Sequence, residues 1–230
     1  MGFELVSFSG PDPLARAASG EWLEAIRKAS EPYLVALSGG RIATNLFTAS
    51  AELACNDAAI HRVHFFWADE RCVPPDHPDS SYRVAHQLLF VPLKIDPSHI
   101  HRIRGEMTPT AAADTATKEL MGLAGKNAAG VPIFDLIFLG MGEDGHVASL
   151  FPDAPRQPGV YYPVIGPKPP PQRITLSYDV LAAAREVWVL ASGPGKEEAL
   201  RASLQPDGRT PLAEVLRLRQ KTRIFSDIPV

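Results

Sequence analysis

Apolar residues along the chain follow two alternating patterns, short continuous runs and longer segments with helical spacing. The continuous runs, several of which end next to glycine, are typical of strands buried on both faces of a parallel sheet. The longer segments repeat apolar residues every three or four positions, which indicates helices that bury one face. The predicted strands are residues 4–8, 33–37, 61–67, 136–139, 173–177, 186–191 and 222–225. The predicted helices are residues 14–26, 42–55, 110–123, 199–204 and one that begins at Thr210. This order of elements predicts an α/β fold.

Residues 134–152, which read FDLIFLGMGEDGHVASLFP, combine a strand, a glycine-rich turn and side chains suited to chemistry. The apolar run ends at Gly140, and the apolar residues of 147–151 predict a short helix that the following proline ends. Asp144 and His146 would then lie at the carboxyl end of a buried strand, where open α/β sheets bind their ligands. Because histidine titrates close to neutral pH, we expect catalysis here.

The glycines of this stretch also satisfy G-x-G-x-x-G, the dinucleotide-binding pattern. Glu143 and Asp144 oppose that interpretation, because two carboxylates would lie among the amides that must hold a pyrophosphate. The acidic residue that binds ribose about 20 residues later is also missing, since YYPVIGPKPPP contains neither Asp nor Glu. The sequence therefore predicts no nicotinamide or flavin cofactor.

Two other junctions between a predicted strand and a predicted helix are rich in glycine. The first is Ser38-Gly39-Gly40, and the second is residues 192–196, which end in Lys196. Free amides and the helix dipole make such junctions candidate anion sites. The first is not a P-loop, because G-x-x-x-x-G-K-[ST] is absent. Each junction alone is also compatible with an ordinary turn.

Composition narrows the class of partner and the location. The 23 Lys and Arg residues against 26 Asp and Glu residues give a net charge of −3, so no global positive field attracts nucleic acid or an anionic membrane. No apolar run approaches the roughly 20 residues needed to cross a bilayer, and the N-terminal residues do not resemble a signal peptide. We therefore expect a cytoplasmic protein. With 230 residues, 45% of them hydrophobic, we expect one domain over residues 1–230.

The cysteines and histidines do not indicate a metal site. Cys55 and Cys72 are read as two reduced thiols, although Arg71 beside Cys72 would favour a reactive thiolate. His61 and His64 would face opposite sides of a strand. The remaining candidate pair, His99 and His101, has no third ligand at a suitable spacing.

The segment after residue 152 is rich in proline, with seven prolines between residues 155 and 171. Proline removes a backbone donor and restricts the chain, so regular structure is disfavoured. We expect either an ordered but irregular crossing or a mobile flap.

The segment G-M-G-E-D-G-H-V-A-S-L-F-P at residues 140–152 closely resembles the signature of the 6-phosphogluconolactonase family, within the larger group that includes glucosamine-6-phosphate deaminases. R-I-T-L at 173–176 and D-E-R at 69–71 are similar to other segments of that family. The resemblance implies a doubly wound, mainly parallel sheet with helices on both faces. The sequence departs from the family at Arg41, where small hydroxyl residues and a proline are usual, and at Ser81, where Asn is usual.

The resemblance also implies hydrolysis of 6-phospho-D-glucono-1,5-lactone to 6-phospho-D-gluconate, with no metal and no cofactor. In that reaction His146 would be the general base for an attacking water, and Asp144 would orient its imidazole. Arg71 or the amide of Gly142 would stabilise the negative charge that develops on the carbonyl oxygen. Asp69, Glu70 and Arg71 could instead form a solvent-exposed cluster of ion pairs with no role in function.

The phosphate of that substrate would be held by the first glycine junction together with Arg173 and Lys196. Asp69 is a further candidate for substrate binding. Arg41 would either grip the phosphate bidentately or point into solvent. Two other functions stay open, an amino-sugar-phosphate deaminase and a catalytically silent sugar-phosphate-binding protein. The sequence does not decide between a monomer and a homodimer.

Overall fold

The computed structural model describes residues 2–29 and 32–229 and is built on a six-stranded sheet in which every pairing is parallel. With strands numbered in chain order, the spatial order is β1 (Phe3–Ser7), β9 (Thr222–Ser226), β8 (Glu186–Ala191), β5 (Leu136–Gly140), β2 (Tyr33–Leu37) and β3 (Val63–Trp67). From β2 the chain passes to β3 on one side, and all later strands of this sheet lie on the other side of β2. This doubly wound order confirms the predicted fold and places the switch in winding direction between β2 and β5.

Helices of the described residues occupy the five predicted segments, and three further short helices were not predicted. In chain order the helices are α1 (Pro11–Lys28), α2 (Arg41–Ala54), α3 (Ser81–Ala85), α4 (Val91–Leu93), α5 (Pro109–Leu123), α6 (Tyr178–Ala183), α7 (Glu197–Leu204) and α8 (Pro211–Leu218). A π-helical turn at His86–Phe90 joins α3 to α4, and short 3₁₀ turns occupy Ala58–Arg62 and Pro97–His99. The apolar stripe of α1 buries Trp22, whose ring meets those of Phe65 and Phe138 edge-on at centroid distances of 6.3 and 5.3 Å. Helix α1 thus packs across the middle of the sheet.

A second, antiparallel sheet adds a feature that the sequence predicted only in part. It contains three strands in the order β4 (Asp69–Arg71), β7 (Gln172–Leu176) and β6 (Tyr161–Ile165). The prediction found β7. It missed β6, because this strand lies inside the proline-rich segment, and it placed Asp69–Arg71 after the end of the strand at residues 61–67 and not in a strand of their own. Pro163 is tolerated there because β6 is an edge strand, where one row of backbone groups needs no partner. The proline-rich segment is therefore not irregular throughout.

The short helix predicted over residues 147–151 is wrong. Val147 forms isolated bridges with Met141 and with Leu150, and Ala148 has a positive φ of 50°, which an α-helix does not allow. The apolar residues of this segment are buried in the core, but they reach it through successive turns. Burial without helical period produced the misleading pattern.

The strand predicted over residues 61–67 begins two residues later, because His61 belongs to a 3₁₀ turn. The edge of β3 is covered by the segment around His101, whose amide donates to the carbonyl of Phe65 at 2.8 Å. The rings of His64 and His101 are joined by a 3.0 Å hydrogen bond, and His99 stacks on His64. Burial, followed by the two neighbouring imidazoles, lowers the pKa of His101 to about 4.

Within the described residues there is neither a cluster of metal-ligand side chains nor a membrane-spanning helix. No group of three or more His, Cys, Asp or Glu side chains in ranges 2–29 and 32–229 is arranged to hold a metal ion. None of the helices in those ranges has both the length and the apolar character needed to cross a membrane.

Candidate active site

A cleft opens at the carboxyl ends of β2 and β5, at the switch in winding direction between them. Strand ends at such a point diverge and leave a crevice that loops can line. The lining residues are Ser38, Gly39, Gly40, Arg41, Ile42, Asp69, Arg71, Ser81, Gly140, Met141, Gly142, His146, Ala148, Arg173 and Lys196. Every candidate residue of the sequence analysis is among them except Asp144, which lies directly behind His146.

Asp144 and His146 form a hydrogen-bonded pair, although a spacing of two residues did not require contact. The Asp144 Oδ1 atom lies 2.5 Å from Nδ1 of the imidazole and also accepts from the His146 amide at 3.1 Å. Burial alone would raise the pKa of Asp144, but these two hydrogen bonds outweigh it and lower that pKa. Gly145 adopts a φ of +76°, which allows the sharp turn. Its carbonyl accepts from the amide of Leu212, and this hydrogen bond anchors the turn to α8.

Gly142 has a different role from the one predicted. Its amide donates to the carbonyl of His146 at 2.9 Å, so this donor closes the turn and is not free for an oxyanion. A Cβ at position 142 would lie 2.1 Å from Nδ1 of His146 and 2.8 Å from Oδ1 of Asp144. Glycine is therefore required because the histidine–carboxylate pair packs against its backbone.

Four cationic side chains line the cleft in two pairs. Arg41, whose direction the sequence left open, lines the cleft near Gly193. Burial, followed by the Arg41 charge, lowers the pKa of Lys196. Arg71 and Arg173 are opposite one another on β4 and β7, and burial followed by the Arg71 charge lowers the pKa of Arg173. Like charges held together in this way favour an anionic ligand, which would relieve their repulsion.

The glycine junction at the start of α2 is the better of the two anion sites. Gly40 is the N-cap with a φ of +98°, no side chain caps the first amides of α2, and its first turn contains no acidic residue. Helix α7, by contrast, carries Glu197 and Glu198 in its first turn, which oppose an anion there. The second junction thus contributes mainly the side chain of Lys196.

Asp69 is held by a partner that the sequence analysis missed. The hydroxyl of Ser149, which is fully buried, donates to Oδ2 of Asp69 at 2.6 Å across 80 residues of sequence. This bond ties the loop that carries His146 to β4. Ser149 belongs to the sequence motif of residues 140–152, but nothing in a linear pattern identifies its partner.

Asp69, Glu70 and Arg71 do not form the solvated ion-pair cluster considered as an alternative. Asp69 and Glu70 are only 7% and 2% exposed, and successive residues of β4 point to opposite sides. Asp69 and Arg71 line the cleft, whereas Glu70 faces the loop at residues 79–82. Burial, followed by the Glu70 charge, raises the pKa of the Cys72 thiol, which contradicts a reactive thiolate there.

The loop between β6 and β7 lies beside the cleft, where Pro167 and Lys168 line a neighbouring pocket together with His146 and Arg173. Arg173 donates to the carbonyl oxygens of Pro170 and Lys168 at 3.3 and 3.4 Å. The ammonium of Lys168 lies 3.8 Å from a carboxylate oxygen of Glu143, on the turn that carries the histidine. The ring of Phe151 completes this side, 5.0 Å from the ring of His146.

Comparison with known proteins adds an independent line of information. The model of the family described as glucosamine-6-phosphate isomerases/6-phosphogluconolactonase matches residues 9–224. A 6-phosphogluconolactonase of Streptomyces coelicolor is 38% identical over 76% of this chain and 71% of its own length. A human 6-phosphogluconolactonase is 36% identical over 80% of this chain and 73% of its own. The chloroplastic 6-phosphogluconolactonase 3 of Arabidopsis thaliana is 35% identical over 86% of this chain, and the match spans 64% of that protein.

Solved structures of related proteins share this fold. A 6-phosphogluconolactonase from Trypanosoma brucei superposes with a TM-score of 0.84 at 27% identity, over 96% of this chain and 95% of the other. A monomeric glucosamine-6-phosphate deaminase reaches a TM-score of 0.82 at 17% identity, over 98% and 97%, so the fold alone does not separate the two activities. On the family match and these relatives, the chain belongs to the family of glucosamine-6-phosphate isomerases and 6-phosphogluconolactonases.

Proposed function

We propose that this protein hydrolyses 6-phospho-D-glucono-1,5-lactone to 6-phospho-D-gluconate. The observation that carries the proposal is a histidine–carboxylate pair that opens into the same cleft as four cationic side chains. Such a lactone presents two complementary groups, an activated ester and a phosphate at the far end of the molecule. The relatives named 6-phosphogluconolactonase support the same substrate. We further propose a single domain over residues 1–230, located in the cytoplasm, that binds no nucleic acid.

His146 is the proposed general base. Because Nδ1 of its imidazole is held by Asp144, the other ring nitrogen, Nε2, accepts the proton from a water that attacks C1 of the lactone. The carbonyl oxygen then becomes negative, and the guanidinium of Arg71, fixed by a 2.6 Å hydrogen bond to the carbonyl of Asp79, stabilises it. As the intermediate collapses, the ring C1–O bond breaks and the leaving oxygen takes the proton back from the imidazolium.

The phosphate is proposed to bind at the amino end of α2. The backbone of Ser38, Gly39 and Gly40 would receive it, with Lys196 and Arg41 on one side and Arg173 on the other. Anchoring the phosphate fixes the distance from C1 to the base, so that binding energy is used for orientation. One carboxylate oxygen of Asp69 accepts the hydrogen bond from Ser149, and the other oxygen would accept from a sugar hydroxyl. The mechanism calls for no cofactor and no metal.

The direct test is the rate of lactone disappearance with the wild-type protein and with His146→Gln. We expect kcat to fall by about 10²–10⁴ in the variant, the usual contribution of a general base. His61→Gln, a matched change in an exposed 3₁₀ turn away from the cleft, should keep full activity. Release of ammonia from glucosamine 6-phosphate would reassign the site to a deaminase. Binding of 6-phosphogluconate without any acceleration of lactone opening would reassign it to a sensor.

A further inference from the structure

Glu70 is a buried carboxylate that the proposed mechanism does not use. Isolation from water disfavours an ionised carboxylate unless donors replace its hydration. Glu70 has four such donors: the amides of Arg71, Ser81 and Tyr82, each at 2.8 Å, and the hydroxyl of Ser80 at 3.1 Å. Two donors bind each oxygen, which fills the acceptor capacity of the group. Burial raises the pKa of Glu70, and the three amides oppose that change.

These hydrogen bonds join β4 to the loop at residues 79–82. That loop touches the cleft at two points. The carbonyl of Asp79 accepts the 2.6 Å hydrogen bond from the guanidinium of Arg71. Ser81 packs against Gly39 so closely that a Cβ on the glycine would lie 2.3 Å from the serine hydroxyl oxygen. The position of the loop therefore decides where the guanidinium of Arg71 is held.

We propose that Glu70 is a positioning residue, whose carboxylate fixes the loop at residues 79–82 so that the carbonyl of Asp79 holds Arg71 against the reacting carbonyl. The inference rests on the proposed function, because Arg71 matters only if negative charge develops in the cleft. Glu70 itself touches no substrate, since its side chain lies on the face of β4 opposite to Asp69 and Arg71.

Glu70→Gln tests this proposal because it keeps the shape and replaces one acceptor oxygen by an NH₂ group. Whichever oxygen is replaced, at least one backbone amide then faces a donor instead of an acceptor. We expect kcat to fall by roughly 10- to 100-fold, at most the loss caused by removing one oxyanion donor. KM should change less than kcat, by up to about threefold, because the loop holds the guanidinium of Arg71 directly but meets the phosphate-binding backbone through the packing of Ser81 against Gly39. Asp57→Asn, an acid-to-amide change at an N-cap beside the amino end of β3, is the matched control and should leave kcat unchanged.

A purely structural role is separated from positioning by the double variant. If Glu70 acts through Arg71, Glu70→Gln should cause no further loss of kcat in an Arg71→Ala background. Losses that multiply in the double variant, or a Glu70→Gln protein with wild-type kcat, would overturn the proposal. If Glu70→Gln does not fold, Ser80→Ala removes one donor and must show the same non-additivity on a smaller scale.

One readout does not depend on activity. The ¹⁵N resonance of the Arg71 guanidinium should shift or broaden in Glu70→Gln, because its contact with the Asp79 carbonyl is loosened. An unchanged resonance overturns the positioning role even if the protein proves to have another substrate. Failure of wild-type protein to open the lactone would instead overturn the proposed function, so the two failures are distinguishable.

Discussion

Replacing Asp144 by Asn tests the geometry of the catalytic turn most directly. The carboxylate accepts from the ring and from the amide of His146, at 2.5 and 3.1 Å, and its lowered pKa keeps it ionised at neutral pH. An amide in its place removes the negative charge that stabilises the imidazolium. It can also donate its NH₂ to Nδ1, which would put the ring proton on Nε2 and disable the base.

The size of the effect follows from the exposure of the pair. A hydrogen bond to a charged group contributes about 1.5–3 kcal/mol, which corresponds to roughly 10- to 150-fold in rate. The Asp144 side chain is 42% exposed, so solvent screening places the direct loss in the lower half of that range. The wrong tautomer adds to it, and the loss cannot exceed the value of the base itself, about 10²–10⁴. We expect Asp144→Asn to lower kcat by about 10²–10³.

The assay measures initial rates of lactone opening in excess of the spontaneous reaction. Glu143→Gln is the matched control, since it makes the same chemical change one residue away, where the carboxylate contacts Lys168 and not the imidazole. Its kcat should stay within about twofold of wild type. A loss below about threefold in Asp144→Asn, or one equal to that of the control, would falsify the assigned pairing. In a His146→Gln background, Asp144→Asn should have no further effect.

Two other predictions concern the cations and the histidine cluster. Lys196→Met should raise KM about 10- to 100-fold with little change in kcat, since a charged hydrogen bond to phosphate is lost; a KM unchanged by the substitution would place the phosphate elsewhere. Because burial and the Arg41 charge lower the pKa of Lys196, the KM of the wild-type protein should begin to rise at a lower pH than an ordinary lysine would cause. The folded-state pKa of His101, about 4, lies below the ordinary histidine value of 6.5, so the unfolded chain binds the proton first and stability is lost as pH falls from about 6.5 to about 4. We expect this loss to be on the order of 1–3 kcal/mol in urea unfolding, and a His101→Gln variant with the same pH slope would refute it.

The sequence determined the parts of this protein that depend on local burial and backbone chemistry. Apolar runs located β2, β5 and β8, because strands covered on both faces have little room for polar residues. Glycine followed these runs at the points where the chain turns sharply, and that located the cleft. The motif at residues 140–152 and its resemblance then indicated which side chains to expect there. The sequence did not predict the strand inside the proline-rich segment, because prolines on either side of it disfavour regular structure. It predicted a helix for a buried stretch of successive turns, because the apolar residues there have a similar spacing.

Tertiary structure alone decided which of these residues touch. Ser149 reaches Asp69 across 80 residues because β4 and the turn after β5 meet at the rim of the sheet, and no periodicity encodes that meeting. The sequence predicts the Gly142 amide as a donor to the substrate, whereas in the fold this amide donates to the carbonyl of His146, because the turn bends back on that residue. The burial of Glu70 was equally invisible, since an acid beside an acid and an arginine is usually solvated. Sequence determines the inventory of the site because residue types are local, whereas hydrogen-bond partners depend on strand order and register.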